Sequence, residues 1–398
     1  MPRPPVKYPS AMTGTGTKAV HGGETPDEPT GSVTTPIYRT STYRFATTEE
    51  LLAASRGERP GYYTRYGSPN FAVVEKKFAA LNGAEGSVLF GSGMAAIAAA
   101  VHTVCGAGDK VVAFRDLYGG TRDLLHWLEG KAGIRTTWVR TGDHVALAQA
   151  LPGARLFVAE SPTNPLLKVV DLPAVSALCR KAGAVFLLDA TFAGPVNHRP
   201  LEHGVDLVME SATKSLGGHS DLLAGLVAGS ATWCAKLAVT RKLIGSISDP
   251  DTASRLERSL KTLPIRVKRQ NETAHDLAKR LEADPRVSRV LYPGLPSHPD
   301  HLLARRLGLG FGSMVTFGVK GGAAAARHVA DHVRVVANAP SLGGVESLLS
   351  LPLYTSHAMF TPQERAEAGI TDDLVRLSVG LEDAADLWAD IDRALQGA

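Results

Sequence analysis

"VDLVMESATKSLGGHSD", residues 205–221, runs from apolar residues into a turn of small ones and places a single lysine, Lys214, between two hydroxyl residues just where the run ends. A short, continuous apolar run fits a strand buried on both faces, and such strands belong to parallel sheets covered by helices on both sides. The pattern recurs between about residues 85 and 230: "SVLF", "KVVAF", "TTWVR", "RLFVAE", "AVFLLD" and "LAGLVAG" all read as strands. Amphipathic stretches such as "TRDLLHWLEGKAG" and "LPAVSALCRKAG" lie between them, each closed by a Gly that suits a helix C-terminus. This rhythm predicts βαβ units, hence an α/β fold with a mainly parallel sheet. Ligands bind such sheets beyond the carboxyl ends of the strands, which makes Lys214 a site candidate.

A chain of 398 residues is long for one core, so a large α/β unit with a second, smaller one is expected. Past residue 230 the pattern changes to basic helices, "LERSLKTLPIRVKRQNETAHDLAKRLEA", then "VSRVLYPGL", "GSMVTFGV" and an amphipathic helix around "DAADLWADIDRAL", which reads as a separate α+β domain. The opening residues are rich in Thr, Pro and Gly and carry little periodic apolar content, so they read as an arm lying on something else. The expected division is an arm over 1–62 against a partner subunit, a ligand-binding domain over 63–254 and a C-terminal domain over 255–398.

Forty-three basic and 39 acidic residues give a net charge of +4 with no long single-sign run, which argues against nucleic acid or an anionic membrane as the main partner. Cys105, Cys179 and Cys234 form no C-x-x-C pair, and three scattered thiols fit a reducing cytoplasm. The start, "MPRPPVKYPSAMTGTGTKAV", lacks the apolar core of a signal peptide, and no apolar stretch is long enough to span a bilayer.

Near Lys214 the strand "AVFLLD" ends in Asp189. A carboxylate there needs a cationic partner or hydrogen bonds. A lysine for a Schiff base and an aspartate for a pyridinium nitrogen are the two groups that pyridoxal phosphate requires of a protein. "LFGSGMAA", residues 89–96, supplies a third element, because Gly91-Ser92-Gly93 lead into a helix near Met94 whose free N–H groups suit a phosphate. Gly91, Gly93 and Ala96 also match the dinucleotide pattern, with Asp116 where a ribose-binding acid would fall, so a nicotinamide oxidoreductase is the rival reading of that turn. Tyr118 in "DLYGGT" and Asn164 in "ESPTNP", both just past strands, favour the first reading.

In order along the chain, "YTRYGSPN", "GSGMAA", "DLYGGT", "ESPTNP", "DATF", "SATKSLGGHSD", "SLGGVESL" and "LVRLSVGLED" resemble the motifs of the Cys/Met-metabolism family of pyridoxal-phosphate enzymes. This trans-sulfuration group includes cystathionine γ-synthase, cystathionine γ-lyase, cystathionine β-lyase, methionine γ-lyase and the homoserine sulfhydrylases. The resemblance covers almost the whole chain, and implies an aspartate-aminotransferase-type fold in a homotetramer built from active dimers. It implies that Lys214 carries the Schiff base, Asp189 keeps the ring nitrogen protonated and Tyr118 stacks on the ring. The phosphate would be held by the backbone N–H groups of Gly93 and Met94 and the hydroxyls of Ser211 and Thr213, with Tyr63 and Arg65 reaching in from the neighbouring subunit. Arg376, with Asn164 and Ser341, would bind the α-carboxylate of an amino-acid substrate, and γ-elimination or γ-replacement on a homoserine-type amino acid is the implied chemistry.

Four positions depart from the family pattern. Pro340 stands before "SLGG" where the cystathionine enzymes commonly have Glu, and Gly120 follows "LYG" where methionine γ-lyases usually have Cys. "SPN" at 68–70 replaces "NPT", and Ala190 replaces the asparagine after the ring aspartate. Elsewhere the plain readings prevail. His328 and His332, with Asp331 between, lack a third metal ligand; "SHPDH" at 297–301 reads as a helix start; His219 reads as a turn residue; and segment 255–269 reads as a solvated charged helix face.

Overall fold

A computed structural model describes residues 13–24, 30–58, 61–358 and 360–398; the proline-rich start, residues 1–12, lies outside the described residues. Seven strands form the first sheet: β1 (Gly86–Phe90), β2 (Lys110–Phe114), β3 (Arg135–Val139), β4 (Ala154–Glu160), β5 (Val185–Asp189), β6 (Leu207–Ser211) and β7 (Gly225–Gly229). Their spatial order is β1-β7-β6-β5-β4-β2-β3. Pairing is parallel from β3 through β6, while β7 runs antiparallel to both β6 and β1. Except for the half-exposed edge strand β3, the apolar runs are buried on both faces: Leu187 and Leu207 pack with helix Gly93–Val104 on one side, and Phe186, Leu188 and Val208 with helix Leu172–Ala182 on the other. The crossover helices end as expected, helix Leu172–Ala182 closing on Gly183 at φ +70°, a left-handed turn that a residue with a Cβ adopts at a cost.

The second sheet comprises β8 (Val287–Leu291), β9 (Met314–Val319), β10 (Ala337–Asn338), β11 (Leu348–Ser350) and β12 (Leu374–Ser378), in the order β10-β11-β12-β9-β8. Its core joins Val315, Phe317 and Leu377 to Val329 of helix Gly322–His332 and Leu387 of helix Ala384–Leu395.

The two units do not exchange at residue 230 or 255. Helix Ala231–Ile244 packs on helix Gly93–Val104 and β1, and Ala253, Leu256 and Leu260 of helix Pro250–Lys261 share a core with Phe71 and Leu226. The handover falls inside helix Leu263–Ala283, where Leu263 and Val267 join the first core and Ala274 to Leu281 the second. Basic composition marked the surface of these helices, whereas their apolar faces decide the partner.

The beginning of the arm docks on its own chain. Ala19 of helix Thr15–His21 is fully buried, and the buried Lys77 ammonium donates to Val20 O at 2.6 Å beside Glu24, which Lys261 meets at 2.7 Å. Further along, Val33, Ile37, Leu51 and Leu52 are exposed.

One contact brings the sheet against the site-bearing helix. A Cβ at Gly225 of β7 would collide with Ser92 O and lie 2.8 Å from Gly93 Cα. Gly225→Ala therefore lowers stability by about 1–3 kcal/mol through overpacking, read from the urea midpoint at unchanged slope. Gly130→Ala, in helix Gly119–Ala132 with open space around it, is the control and raises the midpoint slightly.

Candidate active site

The side chains converge beyond the carboxyl ends of β4, β5 and β6, where the second unit closes over the first. Lys214 follows β6 in a single helical turn closed by Lys214 N to Ser211 O at 3.1 Å and Gly218 N to Lys214 O at 2.7 Å. Its amine donates to Ser341 Oγ at 2.8 Å. The Arg376 guanidinium, projecting from β12, donates to Asn164 Oδ1 and to Ser341 O, both at 3.0 Å, and its Nε is buried without a partner among the described residues. Lys214, Ser341, Arg376 and Asn164 are thus brought together from four separate stretches of chain. A cleft of about 830 Å³ opens beside Ser341, with Thr213, Pro340 and Glu346 among its walls.

Burial and the neighbouring Arg376 cation hold the Lys214 amine below the usual lysine range, which favours a neutral, nucleophilic amine. Burial also pushes the Arg376 guanidinium down to about 10, opposed by the charge of Glu160.

Asp189 ends β5 with its carboxyl buried. Thr191 donates to its Oδ1 from the backbone at 3.0 Å and from its hydroxyl at 2.5 Å. Thr191 Oγ1 in turn accepts from Ser211 N at 2.9 Å, so one threonine ties the ends of β5 and β6 together. Burial raises the Asp189 carboxyl above its ordinary range, with the Thr191 hydrogen bonds opposing. A cation placed against it would return it to the charged form.

Gly93 opens helix Gly93–Val104, whose N-cap Ser92 accepts from Ala95 N at 3.0 Å. A Cβ at Gly93 would sit 2.9 Å from Ser211 Cβ and 3.0 Å from its Oγ, so the glycine keeps the Ser211 hydroxyl at the helix start. Thr213 Oγ1 is engaged with the backbone of Ala224. Tyr118 caps helix Gly119–Ala132 with an exposed ring, and a Cβ on Gly120 would lie 2.7 Å from that ring and 3.0 Å from Met94 Sδ. Met94, Tyr118 and Gly120 therefore form one wall.

Tyr63 and Arg65 stand apart. The Arg65 guanidinium donates to Lys242 O at 2.7 Å and lies over the rings of Tyr66 and Tyr63; among the described residues no hydrogen bond joins either to the Lys214 cluster. Asp116 is ion-paired with Lys168 at 3.0 Å, so the acid needed for the dinucleotide reading is already engaged. His328 and His332 stack on each other at 3.8 Å, and among the described residues no three metal-binding side chains cluster. The His219 ring bonds Gly217 O at 2.8 Å, as a turn residue would.

Two buried acids escaped the reading from sequence. Glu160 ends β4 and accepts from the backbone N–H of Tyr118 at 2.6 Å and of Asn164 at 3.1 Å, positioning both. Glu210, beside Ser211, is buried with both carboxyl oxygens unpartnered among the described residues. Burial, with the nearby charge of Asp189, drives both well above the carboxylate range. The signal was available, since each is a carboxyl at the end of a buried strand, the argument applied to Asp189.

As a set, the groups fit pyridoxal phosphate: an amine of lowered basicity, a buried carboxyl lacking a cation, a helix start with a hydroxyl held beside it, and a guanidinium with a donor to spare. Comparison with known proteins agrees. The family model described as Cys/Met metabolism PLP-dependent enzyme matches residues 16–396. A cystathionine gamma-synthase 1 of Nicotiana tabacum, described as chloroplastic, is 41% identical over 397 residues, covering 98% of this chain and 74% of its own. An L-methionine gamma-lyase of Pseudomonas putida is 38% identical over 391 residues, covering 97% of this chain and 98% of its own. A crystal structure of cystathionine gamma synthase from Xanthomonas oryzae pv. oryzae in complex with cystathionine superposes with a TM-score of 0.92 at 36% identity, covering 97% of this chain and 98% of that one. The chain belongs to the Cys/Met-metabolism family of enzymes that depend on pyridoxal phosphate.

Proposed function

We propose that this chain catalyses γ-elimination or γ-replacement on a sulfur-containing or O-acylated homoserine-type amino acid, in the manner of a cystathionine γ-lyase or γ-synthase. The observation that carries the reading is the meeting of Lys214 and Arg376 at Ser341, an amine at its side chain and a guanidinium at its carbonyl. A planar guanidinium binds a carboxylate through two parallel hydrogen bonds, so an α-amino acid seated on Arg376 presents its Cα region to the lysine.

When bound, pyridoxal phosphate supplies an electron sink for negative charge developing on the substrate. Lys214 would anchor it and, when freed by the substrate amine, would take the proton from Cα, a role that its lowered basicity favours. Once it had passed that proton on to the cofactor, the same amine would be free to remove a proton at Cβ as the γ-substituent departs with its bonding electrons. Asp189 would hold a proton at the ring nitrogen, Tyr118 would cover the ring, and Gly93, Met94, Ser211 and Thr213 would bind the phosphate. Asn164 and Ser341 orient Arg376. Water completes elimination to a 2-oxo acid and ammonia, while a thiol completes replacement.

A side chain at residue 120 would press on the Tyr118 ring, which sets this pocket apart from the cysteine-bearing methionine γ-lyases. Pro340 lines the cleft where a glutamate would meet a distal ammonium. We therefore expect O-acetyl- or O-succinylhomoserine to release 2-oxo acid, the release to fall as a thiol is added, and methionine to be the slowest substrate. Methionine as the fastest substrate, or silence from cystathionine and both acylhomoserines, would contradict the assignment.

Asp189→Asn should retain the fold but lose turnover on the order of a thousandfold, equivalent to several kcal/mol of lost transition-state stabilisation. Near-normal kcat in that variant would remove the residue from the mechanism.

Three unpaired cysteines favour the cytoplasm as its location. By family resemblance the enzyme is a homotetramer, a dimer of active dimers, with Tyr63 and Arg65 of one subunit completing the phosphate site of the next. Their separation from the Lys214 cluster within a single chain supports that arrangement. Lys214→Ala and Arg65→Ala, each nearly inactive alone, should regain activity when unfolded and refolded together, because a mixed dimer rebuilds one whole site. Continued inactivity in mixtures shown by tag pull-down to contain heterodimers would refute subunit sharing.

A further inference from the structure

Arg266 projects from helix Leu263–Ala283 into the protein interior, where it is only 4% exposed. It has no carboxylate partner among the described residues. Its Nη1 donates to Ser215 O at 2.8 Å, its Nη2 to Ser259 O at 2.9 Å and to Leu216 O at 3.4 Å, and its Nε to Thr262 Oγ1 at 3.2 Å. Burying a guanidinium without an anion is unfavourable, and burial pushes it down to about 10. Its compensation comes from carbonyl dipoles, two of which belong to the residues immediately after Lys214.

Those carbonyls sit at the C-terminal end of the helical turn that carries Lys214, the end at which a cation is favoured. Gly218 closes the turn, and a Cβ there would collide with the guanidinium, so backbone and cation are in close contact. One helical turn further along, Gln270, 1% exposed, donates from Nε2 to Gly344 O at 2.7 Å. The segment it grips begins with Ser341, the acceptor of the Lys214 amine. That segment also packs directly on the lysine turn: Val345 N donates to Gly218 O at 2.9 Å, and a Cβ on Gly343 would lie 2.6 Å from Ser215 N.

We propose that Arg266 and Gln270 are positioning residues for the reaction: from one face of a single helix, Arg266 fixes the turn bearing Lys214 and Gln270 fixes the segment bearing Ser341. The helix thereby sets the approach of the amine to the serine that also accepts from Arg376. This rests on Lys214 being the cofactor-binding lysine, which borohydride reduction of the wild-type holoenzyme and peptide mass spectrometry test separately; an adduct on another lysine overturns both.

The experiment compares wild type, Arg266→Met, Arg266→Lys and Gln270→Met, each stripped of cofactor and remixed with pyridoxal phosphate. Growth of the visible band reports capture by Lys214, followed by kcat and KM on the preferred substrate and a thermal midpoint. Arg266→Met should capture the cofactor about tenfold or more slowly, with kcat reduced at least in proportion, and Arg266→Lys should fall between it and wild type because it restores charge with fewer contacts. Gln270→Met should capture within about threefold of wild type but raise KM about tenfold, since it loosens the Ser341 side. Lowered thermal midpoints with wild-type capture rates and KM, measured well below those midpoints, would show that the two residues only stabilise the fold. Should Arg266→Met fail to fold, Arg266→Lys and Gln270→Met decide the matter by the same readouts.

Discussion

Two basic groups meet at one serine: the Lys214 amine at its hydroxyl and the Arg376 guanidinium at its carbonyl. Burial and the Arg376 charge together lower the basicity of the amine, and buried acids of the first sheet stand nearby. Glu160, Asp189 and Glu210 stand at the ends of three neighbouring strands, β4, β5 and β6, so the register of a parallel sheet fixes their spacing. Of the three, Glu160 bears on Arg376 directly, and both Glu160 and Glu210 feel Asp189.

The arrangement also explains why the site requires two domains. Parallel strands deliver acids and the lysine turn to one edge, but β12 is needed for the guanidinium and the 341–345 segment for the serine. Thr191 links β5 to β6 within the first unit, and Ser341 links the two units.

Much of this was legible. The seven runs are the seven strands of the first sheet; six of them are buried on both faces and so leave an almost uninterrupted apolar record, while the half-exposed edge strand β3 shows as a β-branched run. Lys214 and Asp189 stood out for their position at strand ends. The antiparallel insertion of β7 between β1 and β6 was not legible, since periodicity reports which faces are buried and not which neighbour lies alongside. Segment 255–269 misled for a related reason: it reads as charges on a solvated helix, and most of its charges are, yet Arg266 within it is buried, where Ser215 O and Leu216 O from a distant segment receive it beside the local Ser259 O and Thr262 Oγ1. Around residue 255 composition follows the exposed faces of the helices, while the apolar face of helix Pro250–Lys261 packs with Phe71 and Leu226. Tyr63 and Arg65 could be assigned only through the family motifs, for nothing within a single chain brings them to the lysine.

The core shared by Phe71, Leu89, Leu226, Leu256 and Val267 has a consequence for synthesis. Its members are spread along the chain from Ala19 to Val267, with Arg266, the clamp on the lysine turn, next to the last of them. A ribosome must therefore deliver helix Pro250–Lys261 and the start of the next before the first sheet can close on that side. Until then Phe71, Phe78 and Leu226 have incomplete cover, the kind of exposed apolar surface that chaperones bind. The first unit's core is therefore complete only when the chain has been made through Val267.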